Sequence, residues 1–199
     1  YFTRERMKEV EAQVRLGICM LLVDTARAFS VNAREAIQAI KARFPNLPLM
    51  AGNTTSPEGA KALFEWGADV VKVGIGPGKA CRTRMVGIGI PQLSAVARCS
   101  AIAELVRKQG RPAAIVADGG VGSPKDSALA LMAGANAIMS GRLFIGTTES
   151  KAKYYWSDQG LKVKDYIGSA SAYAQRERIN GGDLEHERRS EGVVVKGVP

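Results

Sequence analysis

A glycine-rich stretch that ends in a cysteine is where residue types and their spacing best support chemistry. In "VKVGIGPGKACRTR" (residues 71–84), glycines occupy alternate positions from Gly74 to Gly78, and Cys81 follows. Such glycines let backbone N–H groups approach an anion, and their fixed dipoles favour a thiolate. Lys79 and two arginines add positive charge beside the thiol. We therefore predict that Cys81 is a nucleophile rather than a buried structural cysteine.

The other cysteines and the histidine lack such surroundings. Cys19 precedes an apolar run and Cys99 lies on the apolar face of a helical segment, so we predict core positions for both. Three cysteines without metal-type spacing are typical of a reduced, cytoplasmic protein. His186 is the only histidine and lies in a charged segment, which argues against a Ser-His-Asp triad or a histidine metal site.

Short apolar runs alternate with longer segments of helical period, and these elements must position the chemistry. We predict strands at 20–24, 47–52, 69–74, 113–120 and 136–141, and helices at 32–44, 56–67, 90–110 and 123–134. Strands of about five residues separated by helices of about ten or more indicate βαβ units and a parallel sheet.

Two of these units resemble each other, which favours an α/β fold of the (β/α)8 barrel type over a doubly wound sheet. "AGNTTSPEGAKALFEWGADVVKVG" and "ADGGVGSPKDSALALMAGANAIMSG" both run from strand through Ser-Pro and helix to strand. We predict that residues 1–150 are the C-terminal portion of a catalytic barrel, with about three βα units upstream. Residues 151–199 are expected to add a β-hairpin (153–166) and a charged mobile flap (174–192) to the same domain.

Polar residues follow the predicted strands, where the active site of a βα barrel forms. In "ADGG", an aspartate at a strand end suits a ribose diol, and two glycine amides stay free for phosphate. Aspartate and glycine also form ordinary turns, so this motif alone leaves both interpretations open. The strand-end groups are Asp24, Asn53, the glycine loop with Cys81, Asp118-Gly119-Gly120 and Gly141-Arg142.

The net charge of +9 indicates an anionic partner, either a polyanion or a phosphorylated small molecule. Aromatic residues are only 6% and no nucleic-acid motif is present, so we expect no specific nucleic acid partner. No apolar run approaches the roughly 20 residues of a membrane span, so we expect no membrane association.

Together these residues resemble the IMP dehydrogenase/GMP reductase family. The glycine loop leading to Cys-x-Thr is similar to the family signature, and the similarity continues through "GIGIPQLSAV", "VADGGVGSPKDSALALMAGANAIMSG", "GTTES" and "DYIGSAS". The resemblance implies a (β/α)8 barrel, expected to be a homotetramer, that binds a purine nucleoside monophosphate. It also implies a nicotinamide cofactor, NAD or NADPH, and a potassium ion.

The resemblance assigns roles to single residues. Cys81 would attack C2 of the purine, Thr83 would assist proton transfer, and Arg176 is the candidate in the flap for activating water. Asp118 would hold the ribose hydroxyls. The residues assigned to the nucleotide and its phosphate are Lys79, Gly119, Gly120, Gly141, Arg142, Tyr166 and Gly168.

The resemblance also assigns a cofactor region and a cation site. Asp24, Thr25, Asn53 and Gly74 would border the nicotinamide and the base. The sequence departs from the family pattern at Lys79 and Arg142, where small residues are usual, and at "DTARAFS", near the cofactor. The carbonyls assigned to the monovalent cation are those of Gly76, Gly78 and Cys81.

Three functions stay open from the sequence. We favour an IMP dehydrogenase that forms XMP with NAD through a covalent thioimidate on Cys81, because "GTTES" and "SEGV" resemble that branch. A GMP reductase that uses NADPH is the alternative, because "PQLSAV" resembles the reductases. A family member that binds a nucleotide without turnover is the third.

Overall fold

A five-stranded parallel sheet is the centre of the computed structural model, which describes residues 2–78, 81–168 and 194–198. Its strands pair in chain order, β1-β2-β3-β4-β5, and every neighbouring pair is parallel. They are β1 (Leu21–Asp24), β2 (Leu49–Thr54), β3 (Val70–Val73), β4 (Ala114–Asp118) and β5 (Ala137–Met139).

Helices separate successive strands. Neighbouring helices pack against each other in chain order, so they form one outer layer around the sheet. This alternation confirms the predicted partial (β/α)8 barrel. The helices are α1 (Arg4–Arg15), α2 (Val31–Arg43), α3 (Pro57–Trp66), the short α4 (Arg82–Met85), α5 (Gln92–Lys108), α6 (Pro124–Met132) and the short α7 (Arg142–Ile145).

Serine hydroxyls start three of the long helices. Ser30, Ser56 and Ser123 each accept a hydrogen bond from the backbone N–H three residues later, at 3.4, 3.0 and 3.2 Å. Each bond satisfies one of the N–H groups that a helix start leaves without a partner. Pro57 and Pro124 occupy the first turn, where a missing N–H costs nothing. The two Ser-Pro pairs in the sequence therefore mark real helix starts.

The core lies between the sheet and the helical layer. Alternate residues of the central strands point into it, and alanines on the helices let helix and strand approach closely. Completely buried side chains in this layer include Ile37, Leu49, Leu63, Phe64, Val71, Val73, Val96 and Ile115.

The two cysteines outside the glycine loop test the predicted core. Cys99, on α5, is completely buried as predicted, and burial raises the pKa of its thiol to about 11. The core prediction for Cys19 was wrong, because Cys19 is exposed. It lies in the loop before β1, ahead of Leu21, the first strand residue in the core. A place just before an apolar run is therefore not enough to bury a cysteine.

A second, antiparallel sheet follows α7. It has the order β6-β7-β8, with β6 (Tyr155–Trp156), β7 (Lys162–Ile167) and β8 (Val194–Val198). The predicted flap, 174–192, lies outside the described residues. Within the described part of the chain, no helix has both the length and the apolar character needed to cross a membrane.

The buried Lys164 ties β7 to the turn after α7. Its ammonium group donates to the carbonyl oxygens of Thr147 at 2.7 Å and Ser150 at 3.0 Å. It also lies 4.2 Å from the centre of the Tyr154 ring. Charge-assisted bonds of this kind are about twice as strong as neutral ones, so this lysine fixes where β7 meets the barrel.

We expect Lys164→Met to lower the free energy of unfolding by about 2–3 kcal/mol, because two partly buried carbonyls lose the charged donor that the buried Lys164 supplies. Urea unfolding followed by circular dichroism measures the change. Lys162→Met is the matched control, since Lys162 lies on the same strand and 4.0 Å from the centre of the same Tyr154 ring, but has an exposed side chain. Its effect should stay within about 0.5 kcal/mol. Equal effects of the two substitutions would contradict the assigned role.

Candidate active site

The carboxyl ends of the parallel strands meet around one buried lysine. Lys72 on β3 has its Nζ 2.7 Å from Asp118 Oδ2 and 2.9 Å from Asp24 Oδ1. Asp118 ends β4 and Asp24 ends β1, so one ammonium group joins the ends of three strands. A buried charge is tolerated only when it is paired and hydrogen-bonded, and here both conditions hold.

The electrostatics keep Lys72 charged. Burial alone lowers the pKa of its ammonium group, but the hydrogen bond and charge of Asp118, followed by those of Asp24, outweigh it and raise the pKa above its usual value. Space for the lysine comes from Gly52 on β2, where any Cβ would overlap the Lys72 side chain. The cluster therefore contains one cation and two carboxylates.

Two amide side chains hold Asp118 from other directions. Asn53 Nδ2 donates to Asp118 Oδ2 at 3.0 Å and to the carbonyl of Gly74 at 2.6 Å. Gln92 Nε2 donates to the carbonyls of Val73 at 2.8 Å and Asp118 at 3.2 Å. Gly74 has φ +149° and approaches the Asp118 carbonyl so closely that a Cβ would overlap it. Asp118 Oδ2 thus has two donors, while no described residue donates to Oδ1.

The glycine loop before Cys81 packs against residues 89–90, which follow the cysteine. The N–H of Ile90 donates to the carbonyl of Ile75 at 3.0 Å, and Gly76 (φ +78°) packs directly against Gly89. A Cβ on Gly76 would lie 2.7 Å from Gly89 Cα, so a side chain would not fit there. The N–H of Cys81 donates to the carbonyl of Gly78 at 3.2 Å, and its side chain is half-buried.

The same loop packs against the two glycines that follow Asp118. Both Gly119 (φ +92°) and Gly120 (φ +76°) have left-handed backbones that favour glycine. Cβ atoms built on them would lie 2.9 Å from Pro77 Cγ and 3.1 Å from Pro77 Cβ. Pro77 therefore connects the cysteine loop to the "ADGG" turn, and the two predicted parts of the site are neighbours.

Tyr166 on β7 closes the other side of the site. Its ring packs on Gly141, where a Cβ would lie 2.6 Å from Tyr166 Cε2. Burial and the charge of Asp118 raise the pKa of Tyr166, so the phenol keeps its proton and can donate. Arg142 lies beside Gly122, since a Cβ there would be 3.1 Å from Arg142 Cδ. These residues form a polar edge next to Asp118.

Several predicted residues have defined places near this cluster. Thr25 joins β1 to β2, because its N–H donates to Gly52 at 2.7 Å and its carbonyl accepts from the N–H of Asn53 at 2.6 Å. Thr83 lies on α4, and its carbonyl accepts from the N–H of Ile88 at 3.3 Å. Gly168 is buried just after β7. Lys79 and Arg176 lie outside the described residues.

Sequence reasoning missed two residues of the site, Lys72 and Gln92. Lys72 gave a usable signal, because a lysine between valines in an otherwise apolar strand must find a charged partner if that strand is buried. Gln92 gave a weaker one, since a glutamine at the start of a helix is usually exposed. In the structure, Gln92 Oε1 is buried without a partner among the described residues.

Comparisons with known proteins agree with this geometry. Residues 2–199 match the family model described as the IMP dehydrogenase/GMP reductase domain. The chain is 41% identical over 197 residues to an inosine-5'-monophosphate dehydrogenase from Aquifex aeolicus (strain VF5), covering 98% of the chain and 38% of that protein. It is 42% identical over 193 residues to the enzyme of the same name from Staphylococcus saprophyticus, covering 96% and 38%.

A solved structure with the same fold is a GMP reductase variant from Trypanosoma brucei in complex with guanosine 5'-monophosphate. It superposes with a TM-score of 0.83 at 32% identity, over 99% of this chain and 40% of the reductase. The chain spans 38% of the length of each of the two dehydrogenases. The sequence match and the shared barrel geometry both cover nearly all of its residues, and the chain belongs to the IMP dehydrogenase/GMP reductase family.

Proposed function

We propose that the protein is an NAD-dependent oxidoreductase that converts IMP to XMP through a covalent thioimidate on Cys81. One observation carries the proposal: the Asp118 carboxylate is fixed at the strand ends, and Pro77 packs the Cys81 loop against the turn that follows it. Identities of 41% and 42% to IMP dehydrogenases support the choice of substrate.

Nucleotide binding follows from the polar edge around Asp118. Asp118 Oδ1, to which no described residue donates, can accept from the ribose hydroxyls, and the amide of Gly120 can donate to a phosphate. The Gly119 N–H donates instead to the carbonyl of Met139 at 3.5 Å, which corrects the expectation that both glycine amides stay free. The Tyr166 phenol, whose pKa is raised by burial and by the charge of Asp118, keeps its proton and can donate to the nucleotide as well. Further contacts to the nucleotide and its phosphate are assigned to Lys79, Gly141, Arg142 and Gly168.

The covalent step uses the thiolate of Cys81. Its sulfur forms a bond to C2 of the purine while the hydride on C2 leaves, which gives the thioimidate. Water then attacks C2, the carbon–sulfur bond breaks, XMP is released and the thiol is restored. Thr83 assists proton transfer in this step, and Arg176 is assigned to activate the water.

The residues near the cofactor region fit a nicotinamide dinucleotide, which when bound accepts the hydride from C2. Asp24 ends β1 with a side chain that is 62% exposed, so its carboxylate can meet a ribose diol. Asn53 uses its amide nitrogen within the cluster, which leaves its oxygen as the contact. Thr25 and Gly74 complete the assigned region.

The glycine loop fits part of a potassium site. Carbonyl oxygens are the ligands that hard cations take, and each has two lone pairs. The Gly78 carbonyl uses one of them for the N–H of Cys81. The carbonyls of Gly76, Gly78 and Cys81 would thus supply three ligands, and the remaining ligands must come from other groups.

The family resemblance also implies an assembly and a location, and we extend the proposal to a homotetramer in the cytoplasm.

GMP reductase is the second candidate, and one observation favours it. The superposition with the Trypanosoma brucei reductase has a TM-score of 0.83 over 99% of the chain. In that reaction the Cys81 sulfur would bond to C2 of GMP as the 2-amino group leaves as ammonia. C2 would then receive a hydride, which a bound NADPH would supply, and the carbon–sulfur bond would break to give IMP and the free thiol.

Two assays on the purified protein separate these reactions. We expect absorbance at 340 nm to rise with IMP plus NAD and to stay constant with GMP plus NADPH. A fall in absorbance with ammonia release from GMP would establish the reductase instead. Tight binding of either nucleotide without turnover would support a binding protein, the third possibility.

We expect Cys81→Ala to lower kcat by at least about 10³-fold, the scale on which removing a nucleophile acts. IMP should still bind, because its ribose and phosphate contacts remain. Mass spectrometry of the wild-type protein during turnover should detect a purine adduct on Cys81. Cys19→Ala is the control, since its exposed thiol lies outside the site, and it should keep full activity. Full activity of Cys81→Ala would refute the mechanism.

We expect Gly141→Ala to weaken IMP binding by about tenfold, or about 1.4 kcal/mol. The added methyl group overlaps the Tyr166 ring and must displace it from the nucleotide. Calorimetric titration with IMP measures the effect. Gly146→Ala is the control, because Gly146 ends α7 with an ordinary helical φ of −74°. Unchanged affinity of Gly141→Ala for IMP would contradict the assignment of Tyr166 to the nucleotide site.

A further inference from the structure

We infer that Lys72 is a positioning residue for the nucleotide, holding Asp118 so that its free carboxylate oxygen faces the ribose diol. This inference rests on the proposed binding of a purine nucleoside monophosphate. Lys72 itself is buried, with 3% of its surface exposed, so it acts through Asp118 and not by touching the substrate.

The geometry fixes the orientation of the Asp118 carboxylate. Its Oδ2 accepts from Lys72 at 2.7 Å and from Asn53 at 3.0 Å. The two donors come from different strands, so rotation of the carboxylate would break at least one of these bonds. No described residue donates to Oδ1, and the side chain keeps 23% of its surface exposed. These bonds therefore leave one carboxylate oxygen for a ligand at a fixed position.

The charge of Lys72 also keeps two carboxylates in one place. Asp24 and Asp118 both lie within hydrogen-bond distance of the same ammonium nitrogen. Without that cation, two negative groups would face each other and repel. Asp24 has the more exposed side chain and can move into solvent, whereas Asp118 is restrained by Asn53. Loss of the cation should therefore disturb both assigned subsites.

A second lysine–aspartate pair provides a matched control at the opposite end of the sheet. Lys41 Nζ lies 2.8 Å from Asp69 Oδ2 and also donates to the carbonyl of Leu47 at 3.1 Å. Lys41 lies in the last turn of α2 and Asp69 directly precedes β3, so this pair joins a helix end to a loop at the amino ends of the strands. Removing Lys41 tests what a partly buried lysine–aspartate pair away from the site contributes to stability alone.

The experiment titrates the wild-type protein, Lys72→Met and Lys41→Met with IMP, 2'-deoxy-IMP and 3'-deoxy-IMP. We expect the wild-type protein and Lys41→Met to bind each deoxy analogue about tenfold more weakly than IMP, the effect of one hydrogen bond to a charged group. Lys72→Met should bind IMP about tenfold more weakly and should not discriminate among the three. Its KM for IMP should rise more than its kcat falls.

The outcomes separate this inference from the function on which it rests. Wild-type protein that binds no purine nucleotide, or that ignores the ribose hydroxyls, would overturn the nucleotide proposal and the inference with it. Wild-type discrimination that persists in Lys72→Met would overturn the inference alone. If Lys72→Met does not fold, Lys72→Gln takes its place, since it keeps a donor without the charge. Undiminished discrimination in Lys72→Gln would then overturn the inference.

Discussion

The buried charge of Lys72 is the constraint on which the strand-end cluster depends. An ammonium group in the core is tolerated only when anions compensate it, and Asp24 and Asp118 do so from two other strands. The same bonds that make the lysine acceptable therefore fix the ends of β1, β3 and β4 relative to one another. In the proposed enzyme those ends carry the cofactor region, the cysteine loop and the ribose site, so one cation sets the spacing of all three.

Glycines, which have no side chain, shape the site as much as the residues that have one. Gly52 leaves space for the Lys72 stem, and Gly74 lets the main chain of β3 approach the Asp118 carbonyl. Pro77 of the cysteine loop packs directly against Gly119 and Gly120. Each close approach restricts the movement of a group in or next to the proposed site. A pocket built in this way is preorganised, because its polar groups cannot rotate toward one another when no ligand is bound.

Patterns within a few residues of the sequence predicted the helices and strands better than they predicted the contacts between side chains. Apolar runs and the Ser-Pro pairs located the strands and helices of the barrel, because caps and periodicity act over a few residues. The partner of Lys72 could not be found in this way, since Asp118 lies 46 residues away and meets it only after β3 and β4 have paired. Cys19 shows that local signals can also mislead about burial, because its neighbours in the sequence are apolar but Cys19 itself is exposed.

The choice between the two candidate reactions must be made at the cofactor end of the site. Both proposed reactions begin when Cys81 attacks C2 of a purine whose ribose is held by Asp118, so the cysteine loop and the "ADGG" turn serve either one. They differ afterwards, in whether C2 gives a hydride to the cofactor or receives one, and in whether water enters or ammonia leaves. Asp24 and Thr25 are the residues assigned to that end, and the exposed Asp24 is bound to Lys72. In the proposed enzyme, we therefore expect the residues around Asp24 and Thr25, together with Arg176 assigned to the water, to separate the two reactions more than those around Asp118.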